Sequence, residues 1–269
     1  MKGVILAGGL GSRLSPLTQV TNKHLLPVYD KPMIYYPIEN LVKSGIEEVM
    51  VVTGGKFAGH FLSLLKNGKQ FGLKKLEYAY QEGEGGIADA LKLASSFVDG
   101  SPVCVMLGDN IYQYDIAPHV QAFNKRALAK SSCATVLAVS AGTSYDPRRF
   151  GVALSAAHDA KLKSLKPSEV IEKPSSDELL SIAKEGKTVD ILTGTYFYTS
   201  DVFDVCQTLV PSDRGELEIT DVNRFYMNIN SLRIARIPGW WSDAGTFPSL
   251  LEVSNLVKRY GANLSEPAK

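Results

Sequence analysis

Near its start the chain runs Leu6-Ala-Gly-Gly-Leu-Gly-Ser-Arg-Leu14, directly after the apolar residues Gly3-Val-Ile. A strand that feeds a loop containing Gly8, Gly9, Gly11 and Ser12 suits phosphate binding. Glycines let the backbone come close enough for its N–H groups to point at phosphoryl oxygens. Arg13 adds a planar, permanently charged fork for the same oxygens. A second cation, Lys23, follows in Asn22-Lys-His-Leu-Leu-Pro27. The Lys-Ser/Thr closure of a Walker loop is absent, and so is a Gly-x-Gly-x-x-Gly fingerprint. These residues read either as a nucleotide-phosphate loop or as an ordinary glycine-rich turn.

Other chemistry-bearing groups fall where apolar runs stop: Gln81, Gly108-Asp-Asn110, and Asp243 after Trp240-Trp-Ser. An aspartate leaving a buried strand beside a phosphate loop is placed to hold Mg²⁺, which prefers carboxylate, phosphate and water oxygens. Asp and Asn are equally common in plain turns. Glu169-Val-Ile-Glu-Lys-Pro174 ends a strand with Glu172 and Lys173, which face opposite ways unless a bend intervenes. They read as a surface strand end, or as a carboxylate for sugar hydroxyls and an ammonium for a phosphate. In Arg214-Gly-Glu-Leu-Glu-Ile-Thr220 the arginine is the candidate for an anionic ligand, while the acids match ordinary helix-start chemistry. His24, His60, His119 and His158 have no ligand spacing, and no nucleophile elbow or Cys–His arrangement is present.

The elements that must position these groups alternate through the first half. Strands are predicted at Gly3 to Ala7, Glu48 to Thr53, Leu76 to Gln81 and Val103 to Leu107. Helices are predicted over Met33 to Ser44, Lys56 to Lys66 and Gly86 to Val98. Uninterrupted apolar strands separated by helices imply a parallel sheet covered on both faces, with ligands beyond the strands' carboxyl ends. The second half reads as strands at Ala134 to Val139, Gly151 to Leu154, up to Ile171, Ile191 to Tyr198 and Leu232 to Ile237. Helices are predicted at Ser176 to Glu185, Glu218 to Asn228 and Phe247 to Arg259, and the last residues, 261–268, are expected to fray.

Composition narrows the class. Lys and Arg total 29 against 28 Asp and Glu, so no bulk nucleic-acid surface is implied. Cys104, Cys133 and Cys206 lack metal or redox spacing and read as buried thiols in a reducing compartment. A strand at the very start leaves no room for a signal peptide, and no apolar run approaches the ~20 residues of a membrane span. A cytoplasmic protein with no membrane partner is expected.

Taken in order, several segments together resemble one family, the sugar-1-phosphate nucleotidylyltransferases, and within it the shorter thymidylyltransferases acting on glucose 1-phosphate. They are Gly3 to Leu14, Asn22 to Pro27, Lys31-Pro-Met-Ile-Tyr35, Gly85-Gly-Ile-Ala-Asp-Ala90, Leu107-Gly-Asp-Asn110, Arg149-Phe-Gly-Val152, Glu172-Lys-Pro174, Arg214 to Asp221 and Trp240-Trp-Ser-Asp-Ala-Gly245. The resemblance spans residues 2 to about 257. It implies an α/β, Rossmann-like nucleotidyltransferase fold with a mixed, mostly parallel central sheet covered by helices. It also implies a single domain over 1–269, with residues 1–115 as nucleotide half and 116–260 for sugar phosphate and assembly. The implied reaction joins dTTP and glucose 1-phosphate into dTDP-glucose and pyrophosphate, Mg²⁺-dependent, for deoxysugars such as the rhamnose of surface polysaccharides.

Carried over by position, Leu6, Gly8, Gly9, Gly11, Ser12, Arg13 and Lys23 hold the nucleotide, with Gln81 and Gly86 reading the pyrimidine. Asp109 and Asp243 are the implied Mg²⁺ ligands. Asn110, Tyr145, Gly151, Glu172, Leu192 and Gly194 line the sugar pocket, and Lys173 and Arg214 meet the sugar phosphate. The implied catalytic cations are Arg13, Lys23, Lys173 and Arg214. A homodimer or homotetramer is the implied assembly. Two departures stand out: a longer insert around 175–191, and Phe247 where a histidine often follows, read as a packing substitution. UTP, another hexose 1-phosphate, or a non-catalytic nucleotide-sugar sensor are the alternatives.

Overall fold

The computed structural model describes residues 1–142, 145–156 and 162–265. In β1 (Lys2–Ala7), Val4 and Leu6 enter the core on one face of a sheet, while Ile5 and Ala7 enter it on the other. A strand covered on both faces gains nothing from polar alternation, which explains the unbroken apolar run. A small hairpin of β2 (Pro27–Val28) and β3 (Lys31–Pro32) follows. Next come α1 (Tyr35–Lys43), β4 (Glu48–Gly54), α2 (Ala58–Leu65), β5 (Lys75–Gln81), α3 (Ile87–Lys92), α4 (Ser95–Val98) and β6 (Val103–Leu107). β1 pairs in parallel with β4 and β6, and β4 with β5. The loops after β1, β5 and β6 therefore open along one edge of the sheet.

The chain continues through β7 (Asn110–Tyr112), α5 (Ala117–Ala129), β8 (Ala134–Ser140), β9 (Gly151–Ser155), β10 (Ser164–Leu165), β11 (Glu169–Glu172) and α6 (Ser176–Lys184). It ends with β12 (Thr188–Tyr198), α7 (Val202–Thr208), α8 (Ile219–Asn228), β13 (Leu232–Arg236), β14 (Trp241–Asp243) and α9 (Phe247–Tyr260). The main sheet runs β10-β13-β8-β12-β6-β1-β4-β5, with β9 and β11 branching from β12. β12 is antiparallel to both β6 and β8, β13 is parallel to β8, and β10 is antiparallel to β13. Six of the eight strands on that path thus run the same way, and one sheet joins both halves of the sequence.

Several expectations are corrected. The helix expected over Gly86 to Val98 is broken into α3 and α4 by Leu93 and Ala94. The helix expected from Met33 starts at Tyr35, and α5 and α7 lie where no helix was read. Residues 261–265 do not fray. The Asn263 carboxamide donates to the Tyr36 carbonyl at 2.8 Å and accepts from Asn40 at 2.7 Å, and Leu264 bridges to Tyr114. Residues 266–268 lie outside the described residues, as does His158. The insert forms α6, started by a capping box between Ser175 and Glu178 and anchored by buried Ile182. Phe247 opens the first turn of α9 and is 45% exposed. Cys104, Cys133 and Cys206 are free and buried, and burial pushes the Cys206 thiol up to about 12.

Candidate active site

A cleft of about 420 Å³ opens beyond the carboxyl ends of β1, β5 and β6. Its first wall is the glycine loop, where Gly8, Gly9 and Arg13 line the space. Gly11 sits behind that surface in the left-handed region at φ +68°, and a Cβ there would come within 2.9 Å of the Lys23 and Thr18 side chains. Glycine is thus what lets this turn close onto Lys23. Gly11 and Ser12 do not themselves line the cleft.

At the floor, Lys23 Nζ lies 2.6 Å from Asp109 Oδ2. Burial alone would raise the Asp109 pKa, but Lys23 and the donated Asn110 amide hold the carboxyl well below the usual carboxylate range. Beside it, Asp243 is pushed up to about 6 by burial and by the Asp109 charge, against the pull of Arg149. Arg149 Nη2 stands 3.1 Å from Asp243 Oδ2. The antiparallel pairing of β14 with β7 sets Asp243 opposite Asn110. A Cβ on Gly245 would lie 3.2 Å from Asp243 Oδ2 and 3.7 Å from Asp109 Oδ2. Two carboxylates therefore converge on one space whose like charges are only partly offset, a donor set that fits a hard divalent cation. No third His, Cys, Asp or Glu joins them among the described residues.

The opposite wall is built by β9, β11, β12 and α8. Glu172 pairs across the ladder with Gly151, accepts a hydrogen bond from Thr220, and lies 3.4 Å from Lys173 Nζ. Lys173 takes φ +45°, and this bend brings both side chains of a strand-end pair into the same cleft. Arg214 reaches in from the loop before α8, clamped by both Glu218 oxygens at 2.7 and 2.8 Å and 3.7 Å from Glu172. A register shift in β12 turns the Gly194 N–H onto Asn110 Oδ1 at 3.0 Å, and the Trp241 indole donates to the same oxygen at 2.6 Å. Asn110 is thereby oriented so that its amide nitrogen donates to Asp109 at 3.0 Å. Among the described residues, five basic and five acidic side chains line the cleft, so its charge is balanced.

A family model described as nucleotidyl transferase matches residues 2–259. The chain belongs to the nucleotidyl transferase family. It is 39% identical over 263 residues to a glucose-1-phosphate thymidylyltransferase of Neisseria gonorrhoeae, covering 96% of this chain and 83% of that protein. A crystal structure from Bacillus anthracis, provisionally called a glucose-1-phosphate thymidylyltransferase and holding sucrose, superposes with a TM-score of 0.81 at 42% identity, over 96% of each chain. A UDP-glucose pyrophosphorylase shares the fold, with a TM-score of 0.76 at 20% identity over 96% of this chain and 98% of that one. Nucleotidyl transferases of this family generally use a divalent metal. Among the described residues no helix is long and apolar enough to cross a membrane.

In this nucleotidyl transferase the cleft brings together Leu6, Gly8, Gly9, Arg13, Lys23, Gln81, Gly86 and Asp109 on one side. Asn110, Gly151, Glu172, Lys173, Leu192, Gly194, Arg214 and Asp243 complete it. Tyr145 is not among the lining residues: its hydroxyl donates to the Trp241 carbonyl, and its ring rests 5.2 Å from the Trp241 ring. Arg149, Thr220, Trp241 and His24 line the cleft without having been singled out as site residues. Arg149 and Thr220 lay in recognised segments, but their partners are 94 and 48 residues away in sequence, beyond the reach of local spacing. Burial, helped by the neighbouring Lys23 charge, pushes the His24 pKa down to about 3 and keeps the ring neutral.

Proposed function

We propose that this nucleotidyl transferase forms dTDP-glucose and pyrophosphate from dTTP and glucose 1-phosphate with Mg²⁺. It acts in the cytoplasm as a homodimer or homotetramer and feeds deoxysugar synthesis such as that of dTDP-rhamnose. The observation that carries the reading is a single cleft with a phosphate-type glycine loop and Arg13 on one wall. On the other stand a sugar-type carboxylate, Glu172, and two cations, Lys173 and Arg214, with Asp109 and Asp243 between them. The names of the relatives supply the nucleotide and the sugar.

The chemistry follows from these placements. Arg13, Lys23 and the backbone at Gly8 and Gly9 bind the triphosphate, while Gln81 and Gly86 meet the pyrimidine. Glu172, Asn110 and the backbone at Gly151 and Gly194 orient the sugar hydroxyls, and Lys173 and Arg214 hold its phosphate. Glucose 1-phosphate oxygen then attacks the α-phosphorus in line and pyrophosphate leaves, so no protein nucleophile is needed. Asp109 and Asp243 would hold Mg²⁺, which would supply added positive charge to neutralise the phosphates. Because the cleft's own charges balance, two incoming anions need that added positive charge. The test is pyrophosphate release across a panel of nucleoside triphosphates and sugar 1-phosphates. Release with dTTP and glucose 1-phosphate, lost on chelation, is expected. Equal turnover of UTP would shift the nucleotide assignment.

A further inference from the structure

We infer that Asp89 fixes which base the cleft accepts, by locking the Gln81 carboxamide with its oxygen toward the nucleotide. The inference rests on Gln81 reading the base, as proposed above. Gln81 ends β5 and is buried. Its Nε2 donates to the Gly86 carbonyl at 3.1 Å and to Asp89 Oδ2 at 3.3 Å. Both partners are acceptors only, since neither a backbone carbonyl nor a carboxylate has a proton to give. A flipped carboxamide would set Oε1 against both of these acceptors, oxygen to oxygen. One orientation is therefore enforced, and Oε1 faces Gly8. A Cβ on Gly8 would lie 2.8 Å from Oε1, so glycine keeps that oxygen open to the cleft both residues line.

Asp89 is itself held. Its other oxygen pairs with Lys92 Nζ at 3.0 Å, one turn along α3, and Gly85 leaves the room into which the carboxylate folds back. An acid in the first turn of a helix also suits the helix dipole. That role needs no contact with Gln81 and would not discriminate between bases. A fixed acceptor does discriminate. Thymine and uracil carry a donor at N3, whereas cytosine presents an acceptor there, so Oε1 would meet cytosine acceptor to acceptor. Asp89 is thus a positioning residue that makes the site selective for N3–H pyrimidines.

The test compares dTTP with dCTP, each with glucose 1-phosphate, in wild type, Asp89→Asn and Asp89→Glu. Wild type should prefer dTTP by roughly a hundredfold or more in kcat/KM. Asn can offer an N–H as well as an oxygen, so Asp89→Asn leaves only the Gly86 carbonyl to enforce the orientation of Gln81 and should narrow the preference by about tenfold. Asp89→Glu keeps an acceptor-only partner and should restore most of the preference. Calorimetric titration of the two nucleotides reads the same ratio without turnover. Full discrimination by Asp89→Asn, or equal weakening of both nucleotides, overturns the inference and leaves a structural role. A wild type that uses dTTP and dCTP equally, or neither, overturns the reading of Gln81 and the inference with it.

Discussion

Asp109 is the residue on which the charge of the cleft turns, with Lys23 at 2.6 Å and the Asn110 amide at 3.0 Å both directed at its oxygens. Asp109→Asn keeps the shape and removes the charge. It is expected to lower turnover by roughly a hundredfold or more while the circular dichroism spectrum stays native. Pyrophosphate release near the wild-type rate would remove Asp109 from the proposed metal-binding pair. His24 carries a separate prediction. Its pKa falls from 6.5 to about 3 on folding, so between those values the unfolded chain binds a proton that the folded chain does not. Stability therefore drops as pH falls through that window, by about 2 kcal/mol between pH 7 and pH 5. Urea unfolding at the two pH values should show a smaller drop in His24→Gln. Residue types at strand ends made Arg13, Lys23, Asp109 and Asp243 legible in the sequence. Alternation along a strand could not place Glu172 and Lys173 in one cleft, because that depends on a lysine taking φ +45°.

The register shift in β12 and the start of α6 carry the predictions that belong to elements. A Cβ on Gly194 would come within 2.6 Å of Leu107 and 2.7 Å of Asn110 Nδ2. Gly194→Ala should therefore cost about 1–3 kcal/mol of stability and raise the KM for glucose 1-phosphate by displacing Asn110. Equilibrium unfolding and sugar-phosphate saturation curves together check it. Ser175→Ala breaks the capping box of α6 and should cost about 1 kcal/mol with kcat unchanged, since no residue of α6 lines the cleft. A large fall in kcat there would bring the insert into the site. The strands were legible because burial on both faces writes continuous apolar runs. α5 was not, because only Val120 and Phe123 of its 13 residues are buried, too few to print a helical period. The break between α3 and α4 and the anchoring of Asn263 both depend on tertiary contacts that a local pattern does not carry.

At the scale of the molecule, one sheet carries the glycine-loop wall of the cleft on its parallel strands β1, β5 and β6. The wall that carries Gly151, Glu172 and Gly194 stands on β12 and its branch of β9 and β11. The cleft between them holds balanced charge, so its affinity for two anions together must rise with a divalent cation. Removing metal with a chelator should abolish turnover and weaken dTTP binding, as read by calorimetry before and after Mg²⁺ is restored. Nucleotide affinity that does not change with metal would contradict the charge account. The most direct measurement is phosphorus NMR of the chain incubated with dTTP, glucose 1-phosphate and Mg²⁺. The account predicts dTDP-glucose and pyrophosphate appearing in equal amounts. Intact dTTP beside a tightly bound nucleotide sugar would contradict it and identify a sensor instead of an enzyme.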